Sequence, residues 1–261
     1  MKLKSAMNYY FSDGNARAWI DYAIECGFEY MELTAARFPE DPYEQDEIIA
    51  YAKEKGLVMS MHSMYGKNNI TDTDEENREK SIMQAKAAID LAAKHGLLSV
   101  TFHPGRLSAE DESVEEKWEQ QIKTVAEIAE YAKQKKVCVG LENMERRKFE
   151  LVYTIEDLNR FAEIGKDNPY FGVTIDFAHF SSHGILKPDL SKLKLPIYNV
   201  HLSQGLNGKM HVPLTVENGM VDMKSVCEVL KEYDYNHLIV LEVTGDYIAS
   251  KRILEETMQQ V

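Results

Sequence analysis

Short apolar runs alternate with longer segments of helical period along almost the whole chain. The runs at residues 3–7, 30–33, 57–62, 99–103, 137–142, 171–176, 197–201 and 238–242 are β-prone and read as strands. Between the first two, residues 15–26 carry Ala18, Trp19, Tyr22, Ala23 and Cys26 at offsets of three and four, and Gly27 follows as a C-cap. Segments 46–55 and 76–95 end at Gly56 and Gly96 by the same logic. Segments 115–135, 154–164, 223–233 and 247–258 complete the alternation, and only the crossover between the sixth and seventh strands is weakly helical. Parallel strands need long crossovers and bury both faces, so eight such units predict a closed (β/α)8 barrel, one domain over residues 1–261. A doubly wound open sheet is the rival, but no Gly-x-Gly-x-x-Gly follows the first strand.

In a barrel of this kind functional groups sit at the carboxyl ends of the strands. The last residue or so of the predicted strands reads Glu32 or Leu33, His62, His103, Glu142, Asp176, His201 and Glu242. Each alone has an ordinary explanation, a hydrogen-bonded core histidine or a helix cap. Together, histidines and carboxylates recurring at one phase of successive strands converge on one rim, where bare carboxylates repel and resist burial and a divalent cation relieves both costs. The stretch TIDFAH puts Asp176 at a strand end and His179 just beyond it. His95 reads as serving a helix C-terminus, His237 as lying on the stability face, and His183 as a loop residue. Tyr9, Phe38, Tyr65 and Phe177 are core by default, although each is a candidate for lining a site.

Composition narrows the function. A 44% hydrophobic and 28% charged chain is an ordinary globular one. No run approaches the roughly 18 to 20 apolar residues of a bilayer span, and MKLKSAMNYY lacks the pattern of a signal peptide, so a cytoplasmic protein without a membrane partner is expected. Cys26, Cys138 and Cys227 are too scattered for a disulfide framework and read as reduced thiols. The net charge of −13 disfavours nucleic acid as a partner. The sequence leaves a homo-oligomer open.

At these residues the chain resembles the xylose isomerase-like TIM barrel superfamily, which contains endonuclease IV and the sugar-phosphate isomerases and epimerases. The motifs carrying the resemblance are MHSMYGKNN at His62, TFHPG at His103, LENM at Glu142, IDFAH at Asp176 and His179, NVHLSQ at His201, KMHVPLTVENGMVD around His211, and VLEV at Glu242. The resemblance implies a metal held by Glu142, Asp176, His201 and Glu242, the set of the isomerase and epimerase branch. In the nuclease branch the positions of His62, His103 and Glu142 hold a neighbouring metal, and those of His179 and His211 hold a third together with an aspartate. Lys209 stands in that aspartate's place, and an ammonium repels a third cation.

The expected chemistry is isomerisation or epimerisation of a small sugar, sugar phosphate or related polyol, with manganese, zinc, cobalt or magnesium as the bound ion. Glu142 and Glu242 are expected to move protons, while His62, His103, His179 and His211 orient substrate and Lys209 or Arg106 neutralises a charged tail. The alternatives are metal-dependent phosphodiester hydrolysis at abasic DNA, a lyase or dehydratase, and a barrel that binds a sugar without turning it over. Arg37 and the Arg146-Arg147-Lys148 run are the phosphate-contact candidates of the nuclease reading, with a solvated charge run as the plainer meaning.

Overall fold

The computed structural model describes residues 3–8 and 15–261. In chain order the elements are β1 (Lys4–Asn8), α1 (Ala16–Glu25), β2 (Tyr30–Thr34), α2 (Pro42–Glu54), β3 (Val58–His62), α3 (Glu75–His95), β4 (Val100–Phe102), α4 (Val114–Lys135) and β5 (Val139–Glu142). There follow α5 (Ile155–Asn159), α6 (Ala162–Gly165), β6 (Phe171–Asp176), α7 (Phe177–Ser182), β7 (Ile197–Leu202), β8 (Gln204–Leu206), β9 (Lys209–Val212), α8 (Met223–Glu232), β10 (Leu238–Leu241) and α9 (Tyr247–Gln260). Eight of the strands close into a parallel barrel in the order β1-β10-β7-β6-β5-β4-β3-β2, as the alternation predicts. Tyr9 lies outside the described residues.

The strand faces divide the core in two. Residues such as Met31, Leu33, Met59, Met61, Val139, Leu141, Val173 and Ile175 are buried and pack with the helices into one large apolar cluster. A small cluster of Ala6, Leu238 and Val240, with Tyr30 against it, is separate. Val240 pairs with His201 and Leu238 with Asn199, so this cluster shares the phase of the polar side chains inside the barrel. A close fit at the barrel wall is enforced at Gly140, where a Cβ would run into Thr174 Oγ1 and lie only 2.9 Å from the Thr174 backbone nitrogen.

Helix ends follow the sequence signals. Asp41, Asp74, Ser113 and Asp222 accept a backbone N–H in the first turn of α2, α3, α4 and α8. Gly96 terminates α3 at φ 63°. The segment 154–164 departs from its predicted single helix and forms α5 and α6. Thr154 and Asp157 make a capping box, and tightened i to i−3 bonds at Arg160 and Phe161 end the first helix after five residues. The weakly helical sixth crossover is the six-residue α7 followed by a 3₁₀ turn at Leu190–Lys192. Among the described residues no helix is long and apolar enough to cross a membrane. All three cysteines are free.

Candidate metal centre

The strand register explains why the ligand types meet. Glu142 pairs with Thr174, Asp176 with His201, and His62 with Thr101, which sets these side chains at neighbouring heights on the inner wall. Glu242 follows β10 directly and its N–H donates to Leu202 O at 3.1 Å, extending the ladder beside His201. His103 likewise follows the three-residue β4. One ligand atom each from Glu142, Asp176, His201 and Glu242 lies within 4.8 Å of all the others, and so do those of His62, His103 and Glu142.

Glu142 belongs to both groups. Its Oε1 faces His201 Nδ1 at 3.0 Å, and its Oε2 faces His62 Nε2 at 3.3 Å and His103 Nε2 at 3.2 Å. His201 Nδ1 is also 3.2 Å from Glu242 Oε2. Asp176 is both a helix cap and a member of the cluster: Oδ1 accepts the His179 N–H at 2.7 Å at the start of α7, while Oδ2 is buried with no hydrogen-bond partner. Asn143 fastens this junction. Its amide donates to Asp176 O at 2.9 Å and accepts from Asp176 N at 2.8 Å, and its own carbonyl lies 2.7 Å from His179 Nδ1.

The electrostatics are those of carboxylates packed among imidazoles. Burial pushes the Glu142 carboxyl up, but the charge of His201 and the hydrogen bonds of His103, His201 and His62 reverse this and hold it well below the ordinary range. Glu242 behaves alike: burial raises it, and His211 and His201 bring it down further. Asp176 stays raised, because burial exceeds what His179 offsets. Burial disfavours a charged His62, yet the Glu142 hydrogen bond and charge push it up to about 9. His201 lies well above its ordinary value despite burial, through Glu32, Glu142 and Glu242. His103 is lowered by burial, which Glu142 does not fully offset.

A divalent cation suits this donor set. Mixed imidazole and carboxylate atoms converge, and Asp176 Oδ2, His179 Nε2 and His211 Nδ1 are buried polar atoms without a hydrogen-bond partner. The centre opens on a cavity of about 590 Å³ lined by His62, Tyr65, His103, Arg106, Glu142, His179, His211 and Glu242, among others.

His211 reaches the cavity from the β8–β9 hairpin, whose turn has Asn207 at φ 52° and Gly208 at φ 76°. His211 is itself left-handed at φ 59°, and its carbonyl accepts from Thr244 N and Oγ1, both at 3.0 Å, which hold it there. Its Nδ1 lies 3.7 Å from Glu242 Oε2. Lys209, by contrast, is exposed at the start of β9 and is not among the residues lining the cavity. Arg106 does line it, with its guanidinium donating to Asn68 O at 3.1 Å and Gly66 O at 2.9 Å.

Some of the remaining residues depart from their sequence reading and others keep it. Arg147 and Lys148 line the cavity, paired with Glu145 and Glu110, so this charge run is part of the rim. Tyr65 lines it too, whereas Phe38 and Phe177 are core. His183 stacks on Tyr153 at 4.3 Å, and His95 in the last turn of α3 meets Asp46 at 2.7 Å. Glu32 is buried beneath the rim against His201, a place that its ambiguous strand-end position leaves open in the sequence.

Comparison with known proteins agrees with this fold. The profile described as a xylose isomerase-like TIM barrel matches residues 20–260, and the chain belongs to that family. It is 24% identical over 243 residues to the uncharacterized protein MJ1188 of Methanocaldococcus jannaschii, covering 90% of this chain and 86% of the relative. The crystal structure of a D-tagatose 3-epimerase-like protein superposes with a TM-score of 0.84 at 22% identity, covering 99% of this chain and 98% of that one. Endonuclease IV from Thermus thermophilus superposes with a TM-score of 0.70 at 17% identity, covering 99% and 100%. At these identities the two superpositions establish the shared fold, and the chemistry must be argued from the site.

Proposed function

We propose that the protein is a divalent-metal-dependent isomerase or epimerase that moves a proton next to the carbonyl of a small sugar, sugar phosphate or related polyol. The observation that carries this reading is the convergence of buried Glu142, Asp176 and His201 with half-buried Glu242, whose ligand atoms all lie within 4.8 Å of one another. A cation held there would polarise a substrate carbonyl and acidify the adjacent C–H. Glu142 and Glu242 come from different strand ends and each reaches His201 Nδ1, at 3.0 and 3.2 Å, so one would take a proton from the substrate carbon while the other returns one. His62, His103, His179 and His211 supply ring nitrogens to orient hydroxyls, and Arg106 stands at the rim for a charged tail. The cavity of about 590 Å³ falls within the roughly 300–1,000 Å³ of small-molecule sites. Similarity to the D-tagatose 3-epimerase-like protein supports the same class.

One observation favours a second reading. His62, His103 and Glu142 form a further convergent group, as a hydrolase that uses two ions on a phosphodiester needs. The net charge of −13 opposes it.

The test incubates metal-loaded protein in D2O with a panel of ketoses, aldoses and their phosphates. The expected result is deuterium at the carbon beside the carbonyl, lost in a Glu142→Gln variant that keeps its metal. Undiminished exchange in that variant would remove Glu142 from proton transfer. Cleavage of an abasic duplex by the wild type, abolished in Glu242→Gln, would establish the hydrolase instead.

A further inference from the structure

His201 is gripped from both sides. Its Nδ1 faces Glu142 Oε1 and Glu242 Oε2, while its Nε2 lies 3.0 Å from Glu32 Oε1 on the far side of the ring. Glu32 comes from β2, where it pairs with Ser60 and not with His62, so it sits one pleat deeper in the barrel than the ligands. It is 1% exposed. Its other oxygen accepts from Asn199 Nδ2 at 2.7 Å and from Ser60 Oγ at 3.2 Å, which fixes the carboxylate in place. Asn199 Nδ2 also lies 3.3 Å from His201 Nε2. Among the described residues no lysine or arginine pairs with Glu32, and its ion pair is with His201.

A cation held by Glu142, Glu242 and His201 Nδ1 would leave Nε2 as the ring nitrogen that donates, and Glu32 Oε1 is placed at 3.0 Å to accept from it. From this we infer that Glu32 is a positioning residue that fixes the tautomer and orientation of His201 and strengthens it as a metal ligand. The inference rests on the metal-dependent reading above. Burying this carboxylate without a lysine or arginine beside it is costly, and its charge behind the imidazole would strengthen His201 as a ligand whenever Nδ1 holds a cation.

The test compares Co2+ affinity, by chelator competition, and the visible Co2+ spectrum in wild type, Glu32→Gln and Glu32→Ala. Loss of an outer partner of a ligand histidine weakens binding by about 10- to 100-fold, and that loss with an altered Co2+ band is expected in both variants. A purely structural role would lower thermal stability and leave the band unchanged. Binding within about twofold of wild type with an unaltered spectrum would overturn the inference alone, since loss of such a partner should cost far more. Wild-type protein that binds no Co2+ would overturn the metal reading and this inference with it. If neither variant folds, long-range 15N–1H correlation of His201 in Zn2+-loaded wild type decides the matter. A protonated Nε2 and coordinated Nδ1 support the assignment, and the opposite tautomer overturns it.

Discussion

Glu142, Asp176, His201 and Glu242 are delivered by strand ends and converge to within 4.8 Å, whereas His179, His211 and Lys209 come from a six-residue helix and a two-strand hairpin. The strand-borne group is locked by the barrel's own register, with Asp176 paired to His201 and Glu142 to Thr174. In the loop-borne group the two histidine rings are 6.0 Å apart, and Lys209 stands exposed outside the cavity lining. The barrel wall would therefore fix the place of a cation, while the loops over it are free to vary what else the site recognises.

The comparison breaks most directly at Glu142, the carboxylate shared by both convergent groups. Glu142→Ala is expected to bring metal content close to zero and to lower turnover by about 10²- to 10⁴-fold, the range attached to a proton-transferring group. Metal analysis with steady-state kinetics checks this, and full metal content in the variant would place the ion elsewhere.

A second expectation concerns pH. His62 is pushed up to about 9 in the metal-free protein by Glu142, against the opposing effect of burial. A histidine raised on folding stabilises fully below its unfolded value of about 6.5, and this is lost as pH climbs through the folded value. Metal-free protein should therefore melt at lower temperature as pH rises from about 6.5 to 9. Metal affinity should run the other way and strengthen over the same window, because ligand imidazoles must be neutral. A metal-free melting temperature that rises with pH contradicts the buried His62–Glu142 pair.

Two smaller effects separate wall from loop. Gly140→Ala would drive a methyl into Thr174 Oγ1, two residues before Glu142 on the same strand. It should cost about 1–3 kcal/mol of stability, read by denaturant titration. Lys209→Ala on the exposed hairpin should change stability by less than about 0.5 kcal/mol and kcat/KM by about twofold at most. A larger loss of kcat/KM, confined to phosphorylated substrates, would return Lys209 to the substrate-binding set.

The wall is legible in the sequence and the loops are less so. Strand candidates such as 171–176 match the observed β6 because a doubly covered strand is a continuous apolar run with its ligand at the end. Hairpin β8–β9 is missing from the strand candidates, although Asn207-Gly208 is a hairpin turn signal, because the strands it joins are only three and four residues long. Glu32 is ambiguous with Leu33 because strand ends are uncertain by a residue or two. The register resolves it by pairing Thr34, and not Glu32, with His62. Arg147 and Lys148 look like solvated charges because a charge run carries no information on which loop overhangs a cavity.

Anomalous diffraction from crystals grown with Mn2+ tests the metal centre most directly. An ion is expected at about 2.0–2.3 Å from oxygens of Glu142, Asp176 and Glu242 and from Nδ1 of His201. An ion bound elsewhere, or a protein that remains metal-free at saturating Mn2+ with these four side chains splayed apart, would contradict this placement.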